Sequence, residues 1–238
     1  MKRLLLAFAA VFCAANVFAG GFGKDFKNHI GAGDIKTYAK EMGLMVGSAN
    51  FHDGRATSFP GFDVGVTGIF LDPSNKISKS ADNDFEFLPM VYGEARIPVL
   101  GFNLAARGTS YDDFTTIGGG VKYSVVGATI LPFFPDITAG VFYDRMGTDY
   151  YDADHFSAYI SASVKVLILE PYIGFGYDYT DLEVKSTGTA FDGKSYDADG
   201  GRTTIGLNVT PFPFGYIFGA YTYAGDAKIY QAGLGVRF

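Results

Sequence analysis

Tryptophan is absent, there is one cysteine (Cys13), and only three histidines occur, His29, His52 and His155. The lone cysteine excludes an intrachain disulfide framework and a Cys-based metal site. The histidines lack any HxxxH or HExxH spacing, so no metal site is expected, nor any cofactor. Basic residues are also short: 19 Lys and Arg stand against 25 Asp and Glu, a formal charge of -6. Nucleic-acid binding needs a surplus of Lys and Arg to neutralise phosphates, which excludes that class. Beyond the first twenty residues no apolar run reaches the ~18 residues of a membrane-crossing helix.

The 238 residues are instead rich in Gly (32), Phe (23) and Tyr (16), too much burial-prone surface for a disordered chain. Residues 1–19 have the parts of a secretory signal peptide. Lys2-Arg3 is followed by an apolar run from Leu4 to Ala15, and Val17-Phe18-Ala19 offers a cleavage site before Gly20. Cys13 would leave with the leader. The expected order is a signal peptide at 1–19, an N-terminal segment at 20–58 and one large β domain at 59–238.

The β domain is read from period-two alternation, which puts successive side chains on opposite faces of a strand. In the last eleven residues Tyr230, Ala232, Leu234, Val236 and Phe238 share one face, and Gln231, Gly233, Gly235 and Arg237 the other. Residues 156–168, 116–125 and 203–210 repeat the pattern. Weaker versions run at about 61–71, 84–98, 101–110, 136–146, 171–183 and 215–225, ten candidates in all. Short Pro-rich links (98–101, 131–135, 170–171, 211–215) alternate with more polar ones (72–83, 110–113, 147–154, 184–201, 224–227).

The fold expectation is all-β: an antiparallel up-and-down transmembrane β-barrel of about ten strands, with eight to twelve also compatible. Three features favour lipid on the oily face. The opposite face combines Gly, Ser and Thr with Glu94, Arg96, Arg107, Lys122, Lys165, Asp178 and Arg237, which suits a crowded lumen. The candidates run about 10–14 residues, long enough to span hydrocarbon at a tilt. Aromatics gather at both strand ends, Phe133, Phe134, Tyr172, Phe212 and Phe214 at one rim and Tyr143, Tyr150, Tyr151 and Phe156 at the other.

On these residues the chain resembles a Gram-negative bacterial outer-membrane β-barrel protein, over residues 59–238 and the leader. The resemblance implies an outer-membrane location reached by export, contact with outer-membrane lipids, and a terminal Phe238 read by the barrel assembly machinery. The lack of Trp departs from many such proteins and leaves the belts to Tyr and Phe. The pairs Asp82/Asp84 and Asp154/His155 are faintly similar to the rim carboxylates and Asp-His of omptin-type barrel proteases, but solvated acidic loops account for them, and no catalytic residue is assigned. Clustered carboxylates at 191–200 lack the spacing and closing Glu of a calcium loop and read as turn chemistry.

Residues 34–46 read as a short amphipathic helix, with Asp34 as N-cap, Gly47 as stop, and Ile35, Tyr38, Ala39, Met42, Met45 and Val46 on one stripe. It fits a plug in the lumen as well as a helix at the periplasmic rim or a flexible leader. The functional expectation is a narrow channel or transporter for a small solute. A closed structural or surface-binding barrel is the alternative, and an outer-membrane hydrolase with a rim site a distant third.

Overall fold

A computed structural model describes residues 21–30, 35–55, 61–79, 85–97, 102–126 and 134–238. The leader at 1–19, Asp34, Asp82, Asp84, the link at 98–101 and Phe133 lie outside the described residues. Three helices precede or interrupt ten strands: α1 (Phe22–His29), α2 (Ile35–Ser48), β1 (Phe62–Asp72), α3 (Lys76–Lys79), β2 (Glu86–Arg96), β3 (Phe102–Tyr111), β4 (Phe114–Val126), β5 (Asp136–Gly147), β6 (Tyr151–Ser163), β7 (Leu169–Val184), β8 (Ser195–Val209), β9 (Gly215–Ala224) and β10 (Ala227–Arg237). Each strand pairs antiparallel with its sequence neighbour, and β1 closes on β10, so the sheet is an up-and-down barrel with no free edge. Closure leaves no edge strand, so the strands' backbone groups can pair on both sides through the spanning belt, the condition for a β structure in hydrocarbon.

Alternation decides which side chains face out. Ile117, Val121, Tyr123, Ile160, Ile173, Phe175, Ile205, Leu207 and Ile217 point away from the barrel axis and are exposed, with Ile117 at 71%. Their strand neighbours Thr116, Lys122, Ser161, Thr204 and Asn208 are buried inside. The arrangement is inverted relative to a soluble barrel: the oily face is the outer one, as expected.

The seam closes at the aromatic end. Phe62 and Phe238 exchange both backbone hydrogen bonds (3.1 and 2.9 Å), and the Phe238 ring stacks on Phe214 at 5.2 Å. With Phe212 and Phe134, also exposed, these rings form a girdle at what we term the terminal end. Two residues expected in the girdles face inward instead: Tyr172 and Tyr151 are buried in the lumen. Register explains both, because each sits one residue off the outward set of its strand.

The links also differ from the expected alternation of tight and loose ends. At the far end, 112–113, 148–150 and 225–226 are tight while 185–194 is long; at the terminal end the described links 164–168 and 210–214 are five residues each. Tyr151–Asp154 and Ser195–Gly200, read as loop from their polarity, are strand. Their outward residues Asp152, Asp154, Asp197 and Asp199 are acidic because β6–β8 continue past the apolar belt.

The N-terminal segment fills the barrel. α1 rests at the far end, where the Asp113 carboxylate of the β3–β4 turn accepts from the backbone N–H groups of Gly23 (3.1 Å) and Lys24 (2.9 Å). That anion caps the helix N-terminus, since Gly21 has no side chain to do so. α2 then descends the bore against β7 and β8, and residues 49–55 reach the terminal end, from which β1 starts. The helix is longer by two residues than its stripe predicts and is buried nearly all round, as expected for a helix with walls on every side.

Substituting Ile205→Lys on the outward face of β8 is expected to destabilise the folded barrel by about 2–4 kcal/mol if that position lies near the bilayer midplane. Equilibrium refolding into lipid vesicles measures it, and an effect under ~0.5 kcal/mol would contradict hydrocarbon contact there.

Candidate functional site

Buried polar and charged side chains converge in the lumen, which divides into two halves. In the far half the inward positions are mostly apolar: Ile69, Leu71, Leu88, Met90, Phe114, Tyr151, Leu182, Val184 and Ile229 are all buried, with Glu86 of β2 as a charged exception. They pack on Phe22, Phe26, Tyr38, Met42, Leu44 and Met45 of the N-terminal segment. Tyr38 lies edge-on to Tyr151 with hydroxyls 3.2 Å apart, and Phe26 sits 4.9 Å from the same ring. The one charged side chain of α2 buried there, Glu41, accepts backbone N–H bonds from Ser74 (2.8 Å) and Asn75 (3.4 Å) of the β1–β2 loop. The side chains of those two residues bond to it as well. A buried carboxylate with this many donors is compensated.

At mid-depth α2 passes a ring of charge. Gly43 faces His155 and Thr180, and Gly47 faces Asp178 and Arg202; a Cβ at either position would collide with those side chains. Arg107 grips Asp144 with two parallel bonds (Nε–Oδ1 2.8 Å, Nη2–Oδ2 2.6 Å), the fork geometry that suits Arg to carboxylate. Arg202 pairs with Asp178, and His155 Nε2 lies 3.4 Å from the same carboxylate. Asn50 joins the two pairs. Its carbonyl oxygen accepts from Arg107, and its amide donates to Ser157 Oγ (2.6 Å), which also accepts from Arg202 (3.3 Å).

The terminal half is polar and aromatic. Phe51 stacks on Tyr159 at 4.8 Å and meets Tyr172 edge-on. His52 stacks on Tyr216 at 4.9 Å with the planes 8° apart. Arg237 donates to Asp63 (2.8 Å) and to Asp53 (2.6 Å), so a wall arginine bridges a wall carboxylate and one from the N-terminal segment. Arg55 pairs with Glu170, whose other oxygen accepts from Ser163 (2.6 Å). Lys122 pairs with Glu94 at 2.7 Å, and Arg96 donates to Asn103 (3.2 Å).

Of the seven lumen residues expected from the sequence, Glu94, Arg96, Arg107, Lys122, Asp178 and Arg237 face the interior. Lys165 does not. β6 ends at Ser163, and Lys165 lies exposed in the turn to β7, where Val166 and Leu169 bridge and Leu167 takes a positive φ of 58°. The apolar-polar rhythm continues through this turn although the chain has already reversed, so periodicity alone extended the strand too far. Asp63, Asp144, Glu170 and Arg202 were missed; they are the countercharges, and alternation within β1, β5, β7 and β8 would have found them.

The Asp154–His155 pair is split by the same alternation. Asp154 points outward, accepting from Tyr143 (2.6 Å) and Arg145 (3.2 Å), while His155 is fully buried in the lumen. The two cannot act on one substrate. In the 185–194 loop Asp192 serves as a turn anchor: the Thr187 hydroxyl, then the backbone N–H groups of Thr187 and Gly188, hold its carboxyl below the ordinary value. Among the described residues no group of three or more His, Cys, Asp or Glu is placed to hold a metal ion.

No protein-family model matches the chain, and no curated protein does. Solved outer-membrane barrels are similar in backbone. They include the KdgM porin in complex with disordered oligogalacturonate (8% identity, 74% of this chain and 99% of that one, TM-score 0.41). Others are the N-terminal β-barrel domain of Pseudomonas aeruginosa OprF (9%, 75% and 97%, 0.39) and Neisserial surface protein A (11%, 74% and 97%, 0.35).

Arg107→Ala strands Asp144 without its countercharge and is expected to lower stability by about 3–5 kcal/mol. The double substitution Arg107→Met, Asp144→Leu removes both charges and is expected to recover most of that loss. Denaturant titration of the refolded proteins compares them; a double variant as unstable as the single would refute the pairing.

Proposed function

We propose that this chain is an integral outer-membrane β-barrel, exported through the inner membrane, whose bore is closed by its own N-terminal segment, so that it serves as a structural or surface-binding barrel. The observation that carries this reading is the apolar inner wall of the far half. A water-filled channel has a polar interior. Here the inward residues from Ile69 to Ile229 need an apolar filling, and α1 and α2 supply it. Emptying the bore would wet that surface at about 25 cal/mol per Å². The segment is therefore a core rather than a loosely held gate.

Lipid acyl chains are the partner of the outer belt, and Phe238, on the terminal strand at the closing seam, is the residue we assign to recognition by the assembly machinery. With Asp154 and His155 on opposite faces, no hydrolytic site is proposed. A second reading, a narrow small-solute channel, draws on the terminal half, where Glu94, Lys122, Asp63, Arg237 and Glu170 would line a hydrated path if the segment withdrew.

Planar-bilayer recording separates the two. The full-length protein is expected to be electrically silent, and deletion of residues 24–50 is expected either to open a steady conductance or to abolish the heat-modifiable folded form. Sustained conductance by the intact protein, unchanged by the deletion, would overturn the closed reading.

A further inference from the structure

The two ends of the described chain lie at opposite mouths of the barrel. Phe238 is hydrogen-bonded to Phe62 at the terminal end, whereas Gly23 and Lys24 are bonded to Asp113 in the β3–β4 turn at the far end. Between them the path is marked level by level: Tyr38 against Tyr151, Gly43 against Thr180, Asn50 against Ser157, His52 against Tyr216, Arg55 against Glu170. From this path we infer that the chain crosses the membrane inside its own barrel, with α1 displayed at the cell-surface mouth as a lid. The inference rests on the outer-membrane reading above, in which an even-stranded barrel has its terminal strand ends in the periplasm.

α1 is built for such a position. Its inner face, Phe22, Phe26 and Ile30, is buried in the far-half core, while Lys24, Lys27 and Asn28 on the opposite face are exposed. Lys27 lies over the Tyr150 ring at 4.8 Å, and Phe22 meets Phe114 at 5.2 Å, so the helix is fastened to the rim on both sides. The crossing is closely fitted at mid-depth. A Cβ at position 47 would meet Asp178 and Arg202, so the helix fits this level with its glycine turned to that wall.

Single cysteines in a Cys13→Ser background test this with a membrane-impermeant maleimide on intact cells. Asn28→Cys, with Lys24→Cys as a second probe, reports α1; Ala190→Cys in the exposed β7–β8 loop reports the far end; Lys165→Cys reports the terminal end. The expected result is labelling of Asn28→Cys and Ala190→Cys in intact cells, and of Lys165→Cys only after permeabilisation. Labelling of both α1 probes together with Lys165→Cys, and apart from Ala190→Cys, would overturn the crossing. If instead Lys165→Cys labels on intact cells and Ala190→Cys does not, the assumed barrel orientation and the cell-surface lid both fall, while α1 siding with Ala190→Cys would still support the crossing.

Discussion

A barrel of this size encloses a space that something must fill, and every other feature of the molecule follows from what fills it. Eight strands leave an interior just wide enough for side chains, and many more leave a channel. Ten strands here leave room for one helix, whose width with side chains is about 10–12 Å. Because the far-half wall is apolar, water is a poor occupant, and the N-terminal segment takes the place that a second layer of structure takes in a soluble protein. The protein thus has a hydrophobic core on the barrel axis and a second apolar surface on the outside, separated by one sheet.

The polar contacts along the segment set its depth and rotation. Glu41 is held by the β1–β2 loop, Asn50, Asp53 and Arg55 each reach a different partner on the wall, and Gly43 and Gly47 give clearance where His155, Thr180, Asp178 and Arg202 project. Buried ion pairs add little net stability compared with apolar packing, and a shifted one leaves charges stranded. Sliding α2 by one turn would place one glycine at the other's level and leave the vacated level to a residue with a Cβ, and it would separate Asn50 from Arg107 and Ser157. Apolar contact holds the segment in; the charged groups specify one register.

Much of this was legible in advance. Alternation located all ten strands, because one wet and one oily side impose a period of two whichever medium lies outside. Six of the seven polar residues it put on the inner face lie on inward positions of their strands. Its failures have physical causes. Lys165 kept the rhythm in a turn where the chain had already reversed. Asp152, Asp154, Asp197 and Asp199 looked like loop because strands that rise above the belt lose their oily face but keep their hydrogen bonds. Tyr151 and Tyr172 counted as girdle rings, although parity turns both inward.

The sequence by itself determined the architecture: a cysteine-poor chain of alternating ribbons with an oily side, a charged side and one short helix ahead of them. Those properties are local, fixed by which residues stand two apart or three and four apart. Only the tertiary structure decided that the helix lies inside the bore, that its N-terminal neighbour sits at the mouth opposite Phe238, and that Arg107 faces Asp144 while Arg202 faces Asp178. Those are relations across the bore between residues dozens of positions apart, and they exist only once the sheet has curved and closed.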